Sequence, residues 1–201
     1  PTKLNVFFEQ YVDEDTQLPL IASIIDRELS EPYSIFTYRY FLNNWPELCF
    51  MAIDSSSREC VGVIVCKLEK HREMMRGYVG MLVVDKRARK LKLGSELVSR
   101  ALAVMQERGA DECVLEAETT NEGALRLYQS LGFIRDKALS RYYLSGRDAY
   151  RLKLLFPLPP ADEADEDIAL PRALAADENG AGSGDCDSAK GNAFLDRGGA
   201  L

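Results

Sequence analysis

Three groups of residues have types and spacings that could do chemistry. The first is the basic run Lys86-Arg87-Ala88-Arg89-Lys90-Leu91-Lys92, five cations in seven positions, followed directly by Leu93-Gly94-Ser95 and an apolar helical pattern. The first N–H groups of a helix have no intrahelical partner and the helix dipole is positive there, so this run could hold a phosphate-bearing ligand; it could equally be a solvated charged loop. The second group is Glu116 and Glu118, which lie two apart in the stretch Cys113–Glu118. In a strand they share one face with Val114, with carboxylates roughly 7 Å apart, while Cys113, Leu115 and Ala117 face the other way. Such a pair could take up protons or simply mark a solvent-facing sheet. The third is Asn121 with Tyr128 one helical stretch later, an N-cap residue or ligand contact and a phenol that is either core or proton donor.

The elements that must carry these groups alternate in type. Leu4, Val6 and Phe8 alternate as a strand, and Leu18, Ile21, Ile24, Ile25 and Leu29 recur at helical spacing behind the acidic turn Asp13–Asp15. Ser30-Glu31-Pro32-Tyr33 breaks that helix, and a second spans Ile35–Asn44. Strands follow at Leu48–Ile53, Val61–Leu68 and Gly77–Val84, joined by polar turns into an antiparallel meander. After the basic run, Leu97, Val98, Ala101, Leu102 and Met105 form the inner stripe of a helix stopped at Gly109. A strand at Cys113–Glu118, a helix at Glu122–Leu131 and closing strands at Phe133–Leu139 and Asp148–Leu155 complete an α+β domain over residues 1–156.

The remaining segment, 157–201, differs in composition. It holds ten acidic and three basic residues and therefore the whole net charge of −7, leaving residues 1–156 with 22 charges of each sign. Rich in Ala, Gly and Pro, it is expected to be disordered, so the acidity of the chain describes the tail and not the domain. Five cysteines without a C-x-x-C pair argue against a disulfide framework or thiolate zinc site and for a reducing, cytoplasmic setting; the one histidine, His71, lies in a charged turn. No metal is expected, and no apolar run is long enough to span a membrane.

The order of elements and two motifs resemble the GNAT family of N-acetyltransferases over nearly all of residues 3–156. Arg89-Lys90-Leu91-Lys92-Leu93-Gly94 follows that family's loop, with lysine in place of its first glycine. Asn121, Ala124, Leu127, Tyr128, Leu131, Gly132 and Phe133 follow its second motif. The segments Ser30–Ser34, Tyr38–Asn43, Trp45–Leu48, Gly77–Leu82 and Arg141–Leu144 are similar to the NatC-type N-terminal acetyltransferases within it.

The resemblance implies a central, mostly antiparallel seven-stranded mixed sheet with about four helices. It also implies direct transfer of acetyl from acetyl-CoA, without a nucleophilic cysteine, to an N-terminal methionine followed by a hydrophobic residue. The implied partners are a large and a small auxiliary subunit, the ribosome and nascent peptide N-termini, with no nucleic-acid readout and no membrane. In this scheme Arg89, Lys90, Leu91, Lys92, Leu93, Gly94 and Ser95 cradle phosphates, backbone groups of Met81, Leu82 and Val83 hold the pantetheine arm, and Asn121 adds a contact. Glu116 is implied as general base, directly or through water, with Glu118 as a supporting charge. Tyr128 is the proton donor or sulfur contact. Glu31, Pro32, Tyr33, Tyr78, Tyr142 and Tyr143 receive the peptide. Two alternatives stay open: a related enzyme acting on lysine or small amines, and a non-catalytic acyl-CoA-binding subunit.

A glycine at the Lys92 position would take positive φ freely and allow close backbone approach to a pyrophosphate. A residue with a Cβ there costs roughly 1–2 kcal/mol, which the lysine charge could offset.

Overall fold

The computed structural model describes residues 4–29 and 33–157, so the acidic tail, Glu31 and Pro32 lie outside the described residues. The chain runs β1 (Val6–Gln10), α1 (Glu14–Glu28), α2 (Ile35–Asn44), β2 (Cys49–Asp54), β3 (Cys60–His71), β4 (Met74–Val84), α3 (Leu93–Glu107), β5 (Glu112–Glu118), α4 (Glu122–Ser130), β6 (Ile134–Leu139) and β7 (Ala149–Leu155). Short 3-10 turns cover Pro46–Leu48 and Lys86–Ala88.

Local chemistry sets the helix ends. Asp13 caps α1 by accepting from Thr16 N at 2.9 Å, and Ser34 caps α2 by accepting from Thr37 N at 3.3 Å. Gly109, at φ 75°, follows α3 as expected, because a left-handed residue is needed there and glycine adopts it without strain.

The seven strands form one mixed sheet in the order β1-β2-β3-β4-β5-β7-β6, antiparallel except for β4 and β5. Its two faces carry separate apolar cores. One, with Ile64, Leu82, Leu115 and Ala117, packs under α3 and α4. The other, with Val63, Met81, Val83 and Val114, packs under α1 and α2. The expected split of β5 is therefore present, Val114 on one face and Cys113, Leu115 and Ala117 on the other.

One feature has no sequence signal in Gly77–Val84. Val65 pairs with Met81 and Cys66 with Val79, so Gly80 is left over as a bulge. A Cβ on Gly80 would stand 2.8 Å from Cζ of Phe41, so only glycine lets α2 approach the strand this closely. The bulge puts Tyr78 and Met81, three apart, on the same face. Pairing of β4 with β5 covers only Arg76–Tyr78, and beyond Tyr78 the two parallel strands diverge.

Candidate active site

The site lies where β4 and β5 part, and it has two sides. On the α3/α4 side, β4 passes through Asp85 and the basic turn into α3. Lys90 and Lys92 both hold left-handed backbone, at φ 69° and 60°, so the residue in the glycine position adopts the conformation expected of it. The N–H groups of Leu93, Gly94 and Ser95 precede the first helical bond, Glu96 N to Lys92 O at 3.1 Å, and no side chain caps them. They open onto a cleft of about 370 Å³ that Arg89, Lys90 and Lys92 line from one wall and Asn121, Ala124 and Leu127 from the other.

Gly94 serves a different purpose from Lys92. It is helical, and a Cβ there would lie 2.8 Å from Cδ1 of Leu127, so the missing side chain leaves room for Leu127 of α4 to pack against α3 beside the cleft. Leu91 is half exposed at the loop tip. Asn121 accepts from Ala124 N at 3.1 Å, so it caps α4 as well as lining the cleft. Among the described residues Lys90 and Lys92 make no ion pair. Arg89 reaches Glu28, in the last turn of α1, at 3.5 Å. Beside it Arg27 meets the buried Asp85 at 2.9 Å, and Asp85 also accepts from Arg87. Those Arg87 bonds outweigh burial and hold the Asp85 carboxyl below the usual carboxylate range.

Side chains of Met81, Leu82 and Val83 are buried, so these residues have only backbone groups to offer along the diverging edge. Tyr128 is fully buried against Phe133, with ring centroids 5.4 Å apart, and its hydroxyl has no hydrogen-bond partner among the described residues. Burial, reinforced by the Cys66 and Cys113 thiols, pushes this phenol well above its ordinary pKa. An orphaned buried hydroxyl is a demand for a partner. Together with uncapped amides and unpaired lysines it fits a ligand with phosphates at one end and a polarisable acceptor at the other, as coenzyme A has.

On the α1/α2 side the carboxylate of Glu116 is fully buried rather than solvent-facing. Arg151 of β7 directs Nε and Nη2 at its Oε1, both at 2.8 Å, and the Tyr78 hydroxyl donates to Oε2 at 3.0 Å. Glu118 does not join this cluster. At the strand end its two oxygens meet Arg147 at 3.1 and 3.0 Å, and Thr120 also donates to it. Burial pushes its carboxyl up, but the Thr120 and Arg147 bonds together outweigh it and hold the group below the usual range. The Tyr142 and Tyr143 rings meet edge to face at 5.2 Å, and Tyr33 lies 6.1 Å from Tyr38, whose hydroxyl donates to Asp26 at 2.7 Å. Lys67 lies over the Tyr78 ring, 5.4 Å from its centroid. His71 is exposed at the far end of β3.

Arg151 is the member of this cluster that sequence reasoning missed. Its signal is faint: basic Arg151 and Lys153 alternate with Leu152 and Leu154 in the closing strand, which by itself suggests a solvated face. Only the β5/β7 register, with Glu116 opposite Arg151, turns it into a buried pair.

A diverging β4/β5 pair with an anion-seeking helix mouth on one side and a buried carboxylate on the other is the architecture of an acyl-CoA-dependent acetyltransferase. Residues 18–133 match the model of the acetyltransferase (GNAT) family, and the chain belongs to that family. It is 60% identical over 155 residues to the N-alpha-acetyltransferase MAK3 of Arabidopsis thaliana, spanning 77% of this chain and 80% of that one. To the N-alpha-acetyltransferase 30 of Homo sapiens it is 54% identical over 143 residues, 71% of this chain and 39% of the relative. Among solved structures, a chain of the NatC complex bound to Gag peptide and CoA superposes with a TM-score of 0.74 at 42% identity, over 77% of this chain and all of that one. No described helix is long and apolar enough to cross a membrane, and no described cluster of His, Cys, Asp or Glu is arranged to hold a metal.

Proposed function

We propose that this chain is the catalytic subunit of a NatC-type assembly and acetylates the α-amine of peptides that begin with methionine and a hydrophobic second residue. The observation that carries this reading is the pairing of a buried, doubly bonded Glu116 on one face of the opening with the unpartnered Tyr128 hydroxyl on the other. Likeness to relatives named N-alpha-acetyltransferase, and to a complex solved with both peptide and CoA, supports it.

Acetyl-CoA, when bound, supplies an activated acetyl group as a thioester. Arg89, Lys90, Lys92 and the amides of Leu93–Ser95 hold its phosphates, with backbone groups of Met81–Val83 along the arm. A peptide α-ammonium has a pKa near 8 and must lose a proton before its nitrogen can attack. Glu116 takes that proton by way of a water, because both its oxygens are already engaged and it is fully buried. Tyr128, kept protonated by burial, would hydrogen-bond the departing sulfur as it takes up charge, and the proton that completes the thiol would come from the amine nitrogen, which loses one as the amide forms. Tyr33, Tyr78, Tyr142 and Tyr143 flank the peptide, and the family resemblance adds Glu31 and Pro32 as further peptide contacts. Glu118 is better assigned to holding Arg147 than to the acceptor itself.

The catalytic unit is residues 1–156, and the acidic tail 157–201 is dispensable for transfer. In the cell the chain works in the cytoplasm at the ribosome with a large and a small auxiliary subunit. A peptide series varied at the second position, run with and without those subunits, tests the reading. Preference for Met-Leu, Met-Ile and Met-Phe is expected, unchanged on truncation after Phe156. Equal turnover of an internal lysine and a free Met-Leu terminus would sink it.

A further inference from the structure

Buried carboxylates occur twice on β5. Glu112, at the start of the strand, is bonded by Arg76 and Lys153, and Glu116 by Tyr78 and Arg151. Both are nearly or wholly inaccessible, and both take a cation from the antiparallel partner β7. They differ in position. The Glu112 cluster sits where β4 and β5 are still paired, whereas Glu116 lies past Tyr78, where they have parted. An ionised carboxylate with no access to water needs a bonded cation, since burial alone drives it towards the neutral acid.

We propose that Arg151 is a positioning residue for acetyl transfer: its guanidinium keeps Glu116 ionised and fixes the carboxylate plane, committing Oε1 to the arginine and turning Oε2 to the Tyr78 side. This rests on the reading of Glu116 as proton acceptor. The geometry is specific to arginine, because Nε and Nη2 converge on one oxygen at 2.8 Å, which a single ammonium cannot reproduce. The surrounding elements bring further titratable groups to this region: Lys67 of β3 behind the Tyr78 ring, Tyr38 of α2 with Asp26 of α1, Tyr33 from the loop before α2, and Glu118 with Arg147 at the strand end, while Tyr143 acts on Tyr128. Arg151 meets Glu116 directly and with a full positive charge.

The test is the ratio of variant to wild-type kcat/KM on a Met-Leu peptide between pH 6.5 and 9. The ratio cancels titration of the substrate amine, which is common to all proteins compared. Arg151→Gln is expected to lose about 10- to 100-fold at pH 7 and to recover towards pH 9, as the carboxyl stripped of its cation ionises at higher pH. Arg151→Lys, which keeps the charge but not the fork, should fall between the two. Lys153→Gln is the matched control: it removes the equivalent cation from Glu112 and should leave the ratio flat and near one. Melting temperature and acetyl-CoA affinity are measured for each variant. If Arg151→Gln does not fold, the lysine variant carries the test through an acidic limb raised above wild type. A loss that is constant with pH in the Arg151 variants, beside an inactive Glu116→Gln, overturns the positioning role alone. Full activity of Glu116→Gln overturns the base assignment and this proposal together.

Discussion

The two sides of the opening between β4 and β5 are built on different plans. The proposed cofactor side draws on two continuous stretches, Val84–Ser95 and Asn121–Tyr128, and presents backbone amides, left-handed loop residues and several cations in parallel. On the acceptor side Tyr78, Glu116 and Arg151 come from three strands, 38 and 35 residues apart in the chain, and each bond satisfies a buried group. A site of parallel, partly exposed charges should lose function by degrees. One made of interdependent buried charges should lose it at a step, because removing any member strands another.

The sharpest way to break that contrast is Glu116→Gln. It should lower kcat by about 10²–10⁴-fold while leaving acetyl-CoA affinity within about twofold, as read by steady-state kinetics and calorimetry. A parallel loss of acetyl-CoA binding would show that the two sides are not separable.

Tyr128→Phe follows, with kcat reduced by about 10²-fold. Its melting temperature should stay level or rise, because the hydroxyl it removes is buried without a partner, and deleting an unsatisfied polar group relieves its desolvation penalty. A marked fall in stability would mean that the hydroxyl is bonded in the free protein.

Asp85 straddles the division, joining Arg27 of α1 to the turn that leads into the cofactor loop. Asp85→Asn should destabilise the protein by about 2 kcal/mol at neutral pH and raise the KM for acetyl-CoA and for peptide together. The sign of its pH dependence is set by the lowered carboxyl pKa in the folded state. Its stabilisation is full above the unfolded value near 3.9 and is lost as pH falls through the folded one, so the gap between wild type and variant should begin to narrow near that unfolded value and close only below the lowered folded one, as read by denaturant titrations.

Lys92→Gly has the smallest expected effect. Relief of the left-handed strain should stabilise the fold by about 1 kcal/mol, and acetyl-CoA affinity should shift only modestly because Arg89 and Lys90 remain. Complete loss of acetyl-CoA binding would show that the loop depends on a single lysine and would erase the distinction between the two sides.

How much of this was visible in the chain follows the same division. Periodicity and helix-end signals located all four helices and seven strands, because those signals are carried by neighbouring residues: Asn121 and Gly109 mark their helix ends as expected, and the structure adds Asp13 and Ser34 as caps. The cofactor loop was equally visible, down to left-handed backbone at Lys92. The packing of Leu127 over Gly94 was not, since it joins residues of two different helices. Nor was the bulge at Gly80, whose cause is Phe41 of α2. Glu118 and Glu116 looked alike as alternating carboxylates, and burial and partners separate them, Arg147 beside Glu118 at an open strand end and the partly buried Arg151 beside the fully buried Glu116.

The amino-acid sequence by itself determined the order and kind of elements, the anion-seeking mouth of α3 and the family, because each depends on residues within a few positions of one another. The tertiary structure decided which carboxylate is buried, which arginine meets it, and where β4 and β5 part to admit a ligand. Those outcomes depend on strand register, and register is fixed by the packing of two cores on opposite faces of one sheet, which no local stretch of the chain encodes.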